Sequence, residues 1–204
     1  MEQDLKNIIF DFGGVLVDLD RQAVFDAFQK LGVRQIEQWN KFDLAPFVAL
    51  ENGTCTEADF YQQLRDLADL RPEITDMELA HAWNSMLVRI PKRRLEALLR
   101  LRQRYRVFLL SNTNSIHWEY SERHLFSIMG LSAQDYFDRI YLSYKLHLQK
   151  PDEAIFRKVL EAESLEPSET IFIDDLEANC VAARNLGLQT FTPLEADDWM
   201  PLFL

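Results

Sequence analysis

The stretch NIIFDFGGVLVDLDR, residues 7–21, carries a short apolar run into an aspartate, Asp11, and then into a turn of two glycines. The run is rich in β-branched and aromatic residues and has the length of a strand. Its unbroken apolar character is typical of a strand buried on both faces of a parallel sheet. Because ligands bind at the carboxyl ends of the strands in such sheets, Asp11 is a candidate functional residue.

Similar apolar runs recur along the chain, at residues 106–110, 139–142, 170–173 and 188–191. Helical patterns lie between the later runs, at residues 92–105, 153–163 and 176–187. Strands that alternate with helices predict an α/β fold with a parallel sheet. Residues 21–90 differ, because their apolar residues recur at helical spacing without a strand-like run. We therefore predict several helices inserted after the first strand.

The composition excludes several classes of protein. The chain has 204 residues, 48% of them hydrophobic, which is enough for one substantial core. Its net charge of -11 argues against nucleic acid or an anionic membrane as the partner. Cys55 and Cys180 lie too far apart in sequence to indicate a disulfide scaffold. The sequence has neither a secretory signal pattern nor an apolar run of the roughly 20 residues that span a bilayer, so we expect a cytoplasmic protein.

Polar residues also mark the ends of other predicted strands. They are Ser111 and Asn112 after VFLL, Lys150 in LQKPD downstream of IYLS, and Asp174 and Asp175 after TIFI. A parallel sheet brings such residues together at one edge. Crowded carboxylates repel one another unless a cation lies between them, and Mg2+ prefers carboxylate and carbonyl oxygens. The pattern therefore predicts a Mg2+ site.

A cation at this edge would admit a phosphate group to the same cleft. Lys150, the Ser111 hydroxyl and the backbone amides after Asp11 are candidates to hold the remaining charge of that phosphate. A carboxylate oxygen in line with the phosphorus atom is a nucleophile, and the aspartyl-phosphate that it forms is then hydrolysed by water. The residues therefore favour a hydrolase of phosphate esters.

Taken in order, the segments IIFDFGGVLVD, LLSNTN, QKPDEAIF and FIDDLEAN resemble the four motifs of the haloacid dehalogenase superfamily. The resemblance covers the whole chain except the helical insert. It implies a Rossmann-like parallel sheet core, residues 1–20 and 91–204, with a helical cap, residues 21–90, inserted after the first strand. Both parts agree with the two patterns found along the chain.

The resemblance also implies a role for each motif residue. Asp11 would be the nucleophile, Ser111 and Asn112 would bind the phosphate, and Lys150 would stabilise both the nucleophile and the phosphate. The implied catalytic residues are therefore Asp11, Ser111 and Lys150.

The metal site implied by the resemblance consists of Asp11, the backbone carbonyl of Gly13 and the acidic pair. Asp175 would be the direct ligand of that pair, and Asp174 would act through a water molecule or from behind the ligands.

Gly13 departs from the pattern of the resembled phosphatases, which usually have a second aspartate there. The carbonyl that binds the metal is kept, but the acid that protonates the leaving group, typically worth about 10^2 to 10^4 in rate, is missing. In a first interpretation, the leaving group of the substrate needs little protonation, as that of an anomeric sugar phosphate does. In a second, another group supplies the proton. In a third, catalysis is lost and phosphate binding is kept. Candidate donors are Asp18, Asp20, a cap residue or a metal-ordered water. Glycine followed by VLVDLDR resembles a bacterial subgroup that includes an α-glucose-1-phosphate phosphatase, which favours the first interpretation.

Simpler interpretations exist for several of these residues. Ser111 and Asn112 are also suited to cap a helix that starts near Thr113, and the acidic pair is suited to cap the helix from Leu176. Asn179 either supports the acidic pair or is an ordinary polar helix residue. The aromatic residues and the methionine of the insert are expected mostly to form its own core; they are Trp39, Phe42, Phe47, Phe60, Tyr61, Trp83 and Met86.

The sequence therefore predicts a Mg2+-dependent phosphatase of a small phosphorylated metabolite, a sugar phosphate above all, that acts as a monomer or a homodimer. The alternatives are a metal-independent 2-haloacid dehalogenase, which would share the nucleophile, a phosphomutase, which Gly13 disfavours, and a regulatory protein that binds a phosphorylated metabolite without hydrolysing it.

Overall fold

The computed structural model describes residues 5–33 and 45–203. The strands in these ranges are β1 Asn7–Phe10, β2 Asp18–Leu19, β3 Leu87–Arg89, β4 Arg106–Ser111, β5 Arg139–Leu142, β6 Thr170–Ile173 and β7 Gln189–Phe191. The α-helices are α1 Arg21–Lys30, α2 Ala45–Glu51, α3 Glu57–Ala68, α4 Asp76–Asn84, α5 Lys92–Leu101, α6 Ser115–His124, α7 Ala133–Tyr136, α8 Ser143–Leu146, α9 Glu153–Glu163 and α10 Glu177–Asn185. Across the described ranges, no helix is both long enough and apolar enough to cross a bilayer.

A five-stranded parallel sheet forms the centre of the molecule, in the order β5-β4-β1-β6-β7. The first strand is therefore central, with β4 on one side and β6 on the other. Phe10 at the end of β1 is level with Leu109 of β4 and Ile173 of β6. This register places the residues that follow the three strands at one edge of the sheet.

The side chains of the sheet pack into two layers because successive residues of a strand point to opposite faces. Ile8 and Phe10 of β1 are fully buried in one apolar cluster, which includes Leu95 and Leu98 of α5. Ile9 between them lies in the cluster on the other face, with residues of α9 and α10. The prediction of an α/β fold with a strand buried on both faces is confirmed.

The insert, residues 21–90, contains α1 to α4 and a third apolar cluster. The predicted core aromatics Phe47, Phe60, Tyr61 and Trp83 are buried in it, and Met86 packs against it partly buried. Ile116 of α6 completes the cluster from the sheet side. Trp39 and Phe42 lie outside the described residues.

Several elements differ from the sequence prediction. β2 and β3 form a short antiparallel pair at the two ends of the insert, and so few residues give no periodic signal. α5 ends at Leu101, four residues before the end of the predicted segment, and the chain turns before β4. The predicted helix stop at Gly187 is confirmed, because this residue has a φ of +88°, a conformation that glycine adopts without a Cβ penalty.

Candidate active site

The three predicted acidic residues meet at the edge of the sheet. Asp11 directly follows β1 and Asp174 directly follows β6, and carboxylate oxygens of Asp11, Asp174 and Asp175 lie within 4.8 Å of one another. The Gly-Gly turn after Asp11 passes close to the third acid. A Cβ on Gly14, which has a φ of +75°, would lie 2.6 Å from Oδ2 of Asp175, so a larger residue would strain the backbone and displace that carboxylate.

Lys150 joins the two buried acids, although it is distant from both in sequence. Its Nζ donates to Oδ1 of Asp11 at 2.7 Å, to Oδ2 of Asp174 at 2.6 Å and to the carbonyl of Leu110 at 2.9 Å. The side chain is only 1% exposed. An ammonium has three donors, so each proton of Lys150 has an acceptor in the protein. The hydrogen bonds of Lys150 therefore fix the orientation of Asp11 and Asp174.

Burial and mutual charge determine the protonation of Asp11 and Lys150. Removal from water raises the pKa of Asp11 to about 7, although the charge of Lys150 opposes that shift. The two carboxylates in turn raise the pKa of Lys150 above its ordinary value, against the effect of burial. A divalent cation beside Asp11 would favour its ionised form, which is the form that acts as a nucleophile.

Asp174 and Asp175, the acidic pair after β6, have different surroundings. Asp174 is fully buried, and its oxygens accept hydrogen bonds from the amide of Leu176, from Nδ2 of Asn179 and from Lys150. Asp175 lines the cleft and is partly exposed. Burial raises the pKa of Asp175, and Asp174 adds to that rise. Of the two interpretations of Asn179, the structure shows support of the acidic pair, through its hydrogen bonds to Asp174.

The donor set fits Mg2+. Hard divalent cations prefer oxygen ligands, and this edge of the sheet brings three carboxylates together, of which Asp11 and Asp175 line the cleft. Burial opposes the charged forms of Asp11 and Asp175, which is the cost that a cation would offset. Asp11 and Asp175 are thus the residues placed to hold the metal, and Asp174 is held by its neighbours.

Ser111 and Asn112 lie at the same edge, at and directly after the end of β4. Ser111 is buried and lines the cleft. The amide side chain of Asn112 binds the main chain of Lys150, donating to its carbonyl at 2.8 Å and accepting from its N–H at 2.9 Å. The helix that follows is capped by Asn114 and not by Ser111 or Asn112, because α6 starts at Ser115.

A side chain at the position of the missing acid would contact a neighbour closely. A Cβ on Gly13 would lie 3.1 Å from Cδ1 of Leu19, so Leu19, which lines the cleft, would have to shift by a few tenths of an ångström. The two replacement acids considered from sequence have other partners. Asp18 pairs with Arg94 at 2.7 Å and with Arg89 at 3.1 Å. Asp20 caps α1, where it accepts from the N–H of Ala23 at 3.1 Å.

The cleft has a volume of about 580 Å³ and lies between the sheet edge and the insert. Insert residues that line it are Arg21, Phe25, Val48, Glu51, Trp83, Met86 and Leu87. Sequence reasoning did not place Arg21 and Glu51 in the site. No local signal identifies them, because only the packing of the insert on the sheet brings them to the cleft.

His117 of α6 also lines the cleft and is buried against the insert. Its ring stacks on Trp83 with the centroids 4.5 Å apart, and its Nε2 lies 3.1 Å from the carbonyl of Trp83. A carbonyl can only accept, so Nε2 carries the proton, and Nδ1 accepts from the side chain of Asn114. Burial lowers the pKa of His117 to about 4.

This burial predicts a stability that falls in acid. Between about pH 6.5, the ordinary histidine pKa, and about pH 4, the unfolded chain binds a proton at His117 that the folded chain excludes. The free energy of unfolding therefore rises with pH in this window, and His117 accounts for up to about 3 kcal/mol of that rise. We expect His117→Gln to flatten the rise in denaturant titrations at a series of pH values. His124→Gln, at an exposed position of the same helix, is the matched control, and an unchanged pH slope in His117→Gln would contradict the assignment.

Comparisons with known proteins agree with this arrangement. The family described as haloacid dehalogenase-like hydrolase matches residues 8–192. A D-ribitol-5-phosphate phosphatase of Bacteroides thetaiotaomicron is 38% identical over 199 residues, which are 96% of this chain and 95% of that protein. A HAD family enzyme of the same species, crystallised with magnesium and inorganic phosphate, superimposes with a TM-score of 0.93 at 42% identity and covers 98% of this chain and 100% of that one. A predicted HAD-like hydrolase of Porphyromonas gingivalis gives a TM-score of 0.90 at 32% identity, over 98% and 96% of the two chains.

Proposed function

This chain belongs to the haloacid dehalogenase-like hydrolases, and on that basis we propose that it hydrolyses a phosphorylated sugar or sugar alcohol through a phosphorylated Asp11. It is a phosphatase, and Mg2+ is its cofactor. The contact that carries the proposal is the ammonium of Lys150 held between Asp11 and Asp174, with Asp175 beside them at the open end. The similarity to the D-ribitol-5-phosphate phosphatase supports a phosphate ester of a hydroxylated compound as the substrate.

The proposed reaction has two steps. Oδ2 or Oδ1 of Asp11 attacks the phosphorus atom, the bond between phosphorus and the ester oxygen breaks, and that oxygen takes up a proton. Water then attacks the same phosphorus atom, and the carboxylate of Asp11 is released with inorganic phosphate. When bound, Mg2+ neutralises part of the negative charge on the phosphate and the carboxylates.

The residues of the chain supply orientation and charge. Lys150 holds Asp11 in one rotamer through the 2.7 Å hydrogen bond, and Ser111 is the hydroxyl at the cleft that would donate to the transferred phosphoryl group. We propose that Asp11 and Asp175, together with the carbonyl of Gly13, hold the metal. Residues 21–90 would act as the cap that excludes water from the first step, on the sheet core of residues 1–20 and 91–204.

Because Gly13 has no acidic side chain, it cannot protonate the oxygen of the leaving group. Neither Asp18 nor Asp20 lines the cleft. Their oxygens bind Arg94, Arg89 and the amide of Ala23. A proton for the leaving oxygen would then come from water or from a residue of the insert. An anomeric phosphate needs less protonation than the phosphate of a primary alcohol, so comparing these two kinds of ester reports on the missing acid.

The test is release of inorganic phosphate from a panel of esters in the presence of Mg2+. We expect turnover of α-glucose 1-phosphate or D-ribitol 5-phosphate well above that of an unsubstituted alkyl phosphate. Preference for the anomeric ester would explain Gly13 through the leaving group. If no ester is turned over while inorganic phosphate still binds, the proposal fails in favour of a regulatory binding protein.

A further inference from the structure

A positively charged side chain of the insert faces the cleft with its donors free. Arg21 is the first residue of α1; it lines the cleft and is exposed. In the described part of the chain, its guanidinium group has neither a hydrogen bond nor an ion pair. A guanidinium group has five N–H donors and no acceptor. These donors are therefore available to a molecule bound in the cleft.

The other basic residues that line the cleft are Lys150 and His117, and neither has a free charge to offer. Lys150 donates its three protons to two carboxylates and a carbonyl of the sheet core. His117 is buried, and burial lowers its pKa to about 4, so its ring is neutral near pH 7. Among the described residues of the cleft, Arg21 thus supplies the positive charge that a leaving group can reach.

The direction of the proposed displacement puts the leaving group on the side of the insert. Asp11 attacks from the sheet edge, and the attacking and leaving oxygens of such a displacement lie roughly in line on opposite sides of the phosphorus atom. The insert wall of the cleft is largely apolar, with Phe25, Val48 and Met86 among its residues. Negative charge that develops on the leaving oxygen is costly beside such a wall unless a polar group meets it.

The position of Arg21 favours a role in the cleft over a role in the helix. A cation in the first turn of a helix lies at the unfavourable end of the helix dipole, and the first turn of α1 has no acidic residue to offset it. The charge of Arg21 also acts within the cleft: burial raises the pKa of Asp175, and Arg21 is one of the positive charges that oppose this rise. The stability of α1 therefore does not account for an arginine at this position.

We propose that Arg21 is a catalytic residue that compensates for the acid missing at Gly13, by donating a hydrogen bond to the ester oxygen as that oxygen leaves. The bond between phosphorus and this oxygen breaks, and the electron pair stays on the oxygen. The guanidinium group keeps its proton because arginine stays charged in proteins. A water molecule then protonates the alkoxide, and the solvent neutralises the hydroxide that remains. The inference rests on the proposed phosphatase function and adds the group that stabilises the leaving oxygen.

The first experiment measures kcat/KM, with Mg2+ present, for three esters that differ in their leaving groups. D-ribitol 5-phosphate and ethyl phosphate release basic alkoxides, with and without further hydroxyl groups, whereas p-nitrophenyl phosphate releases a stable phenolate. We expect Arg21→Ala to lower kcat/KM about 10^2-fold or more for both alkyl esters and to change it little for p-nitrophenyl phosphate. The matched control is Lys30→Ala, which removes an exposed cation from the last turn of the same helix and should change none of the three values.

The second experiment asks whether the charge alone is needed. Arg21→Lys keeps the charge, and guanidinium chloride added to Arg21→Ala, far below the concentration that unfolds the protein, supplies the missing group. We expect each to restore part of the loss with the alkyl esters, whereas sodium chloride of equal ionic strength restores none. Because Arg21 is exposed, the Tm of these variants should match that of the wild type, which separates the effect from loss of the fold.

Distinct results would overturn the inference. An equal fall for all three esters would place Arg21 at the transferred phosphoryl group, and a fall confined to D-ribitol 5-phosphate would make it a ligand of the substrate hydroxyls. Unchanged values, or no recovery with either lysine or guanidinium, would also contradict it. So would a loss of wild-type activity on the alkyl esters alone as the pH rises from about 7 to about 9, because an acid that donates its proton shows this loss and arginine does not. If the wild-type protein releases phosphate from none of the esters, the proposed function itself fails, which differs from an active enzyme that does not depend on Arg21.

Discussion

Asp11→Asn is expected to abolish phosphate release, with a fall in kcat of at least about 10^4-fold. The amide cannot act as the attacking carboxylate, so no phosphorylated residue can form. Its carbonyl oxygen can still accept the hydrogen bond that Lys150 gives to Oδ1 of Asp11 at 2.7 Å. The fold should therefore survive, and we expect circular dichroism and the cooperativity of thermal unfolding to match those of the wild type.

The matched control for this variant is Asp20→Asn. Asp20 lies on the same N-terminal stretch but caps α1, a role that asparagine fills as well as aspartate. We expect this control to keep most of the turnover. If Asp11→Asn retains turnover, Asp11 is not the nucleophile. If Asp20→Asn loses turnover, Asp20 is the acid that protonates the leaving group, as the sequence allows.

Removal of Mg2+ by EDTA should also abolish phosphate release, and addition of excess Mg2+ should restore it. The reason is the buried cluster of Asp11, Asp174 and Asp175, whose charge Lys150 offsets only in part. A cation that binds the folded state alone also stabilises it, by about 2.7 kcal/mol at a concentration about one hundred times its dissociation constant. We therefore expect a higher Tm in Mg2+ than in EDTA.

Asp175→Asn makes the metal prediction specific to the site. It replaces one of the two acids of the cluster that line the cleft, and it leaves the contacts of Asp174 with Lys150 and Asn179 in place. The rise of Tm with Mg2+ should shrink in this variant. Full activity of the wild type in EDTA would contradict the proposal, and release of halide from a 2-haloacid under those conditions would favour the dehalogenase alternative.

The residues at the sheet edge could be predicted because they follow apolar runs without interruption. Such runs, of strand length and rich in β-branched and aromatic residues, are typical of strands buried on both faces, and a parallel sheet then places Asp11 and Asp174 at the same edge. Lys150 lies in a turn some distance from a strand end, so its place at the edge depended on the order of the motifs and not on periodicity.

The contacts between the insert and the core were beyond sequence reasoning. From the sequence, Gly53 lies in a polar turn between two helical runs, which is either a plain interhelical turn or a loop that contributes to substrate specificity. Its approach to Tyr144 depends on two elements more than 90 residues apart in the chain. α8 has four residues, too few for an amphipathic repeat. The side chain of Asn112 binds the main-chain atoms of Lys150, which no pattern indicates. Asn112 also lines the cleft, and its binding of phosphate stays a prediction.

The central place of β1 in the sheet has a consequence for the order in which the protein is assembled. Its partners β4 and β6 begin at Arg106 and Thr170, so β1 has no neighbour in the sheet until about 100 further residues have been synthesised and has both neighbours only after about 160. The helices α1 to α4 make contacts over shorter distances along the chain, and local contacts form faster. We expect the insert to become ordered early on the ribosome. Asp11 should gain its hydrogen bond with Lys150 only after the segment that carries Lys150 has been synthesised.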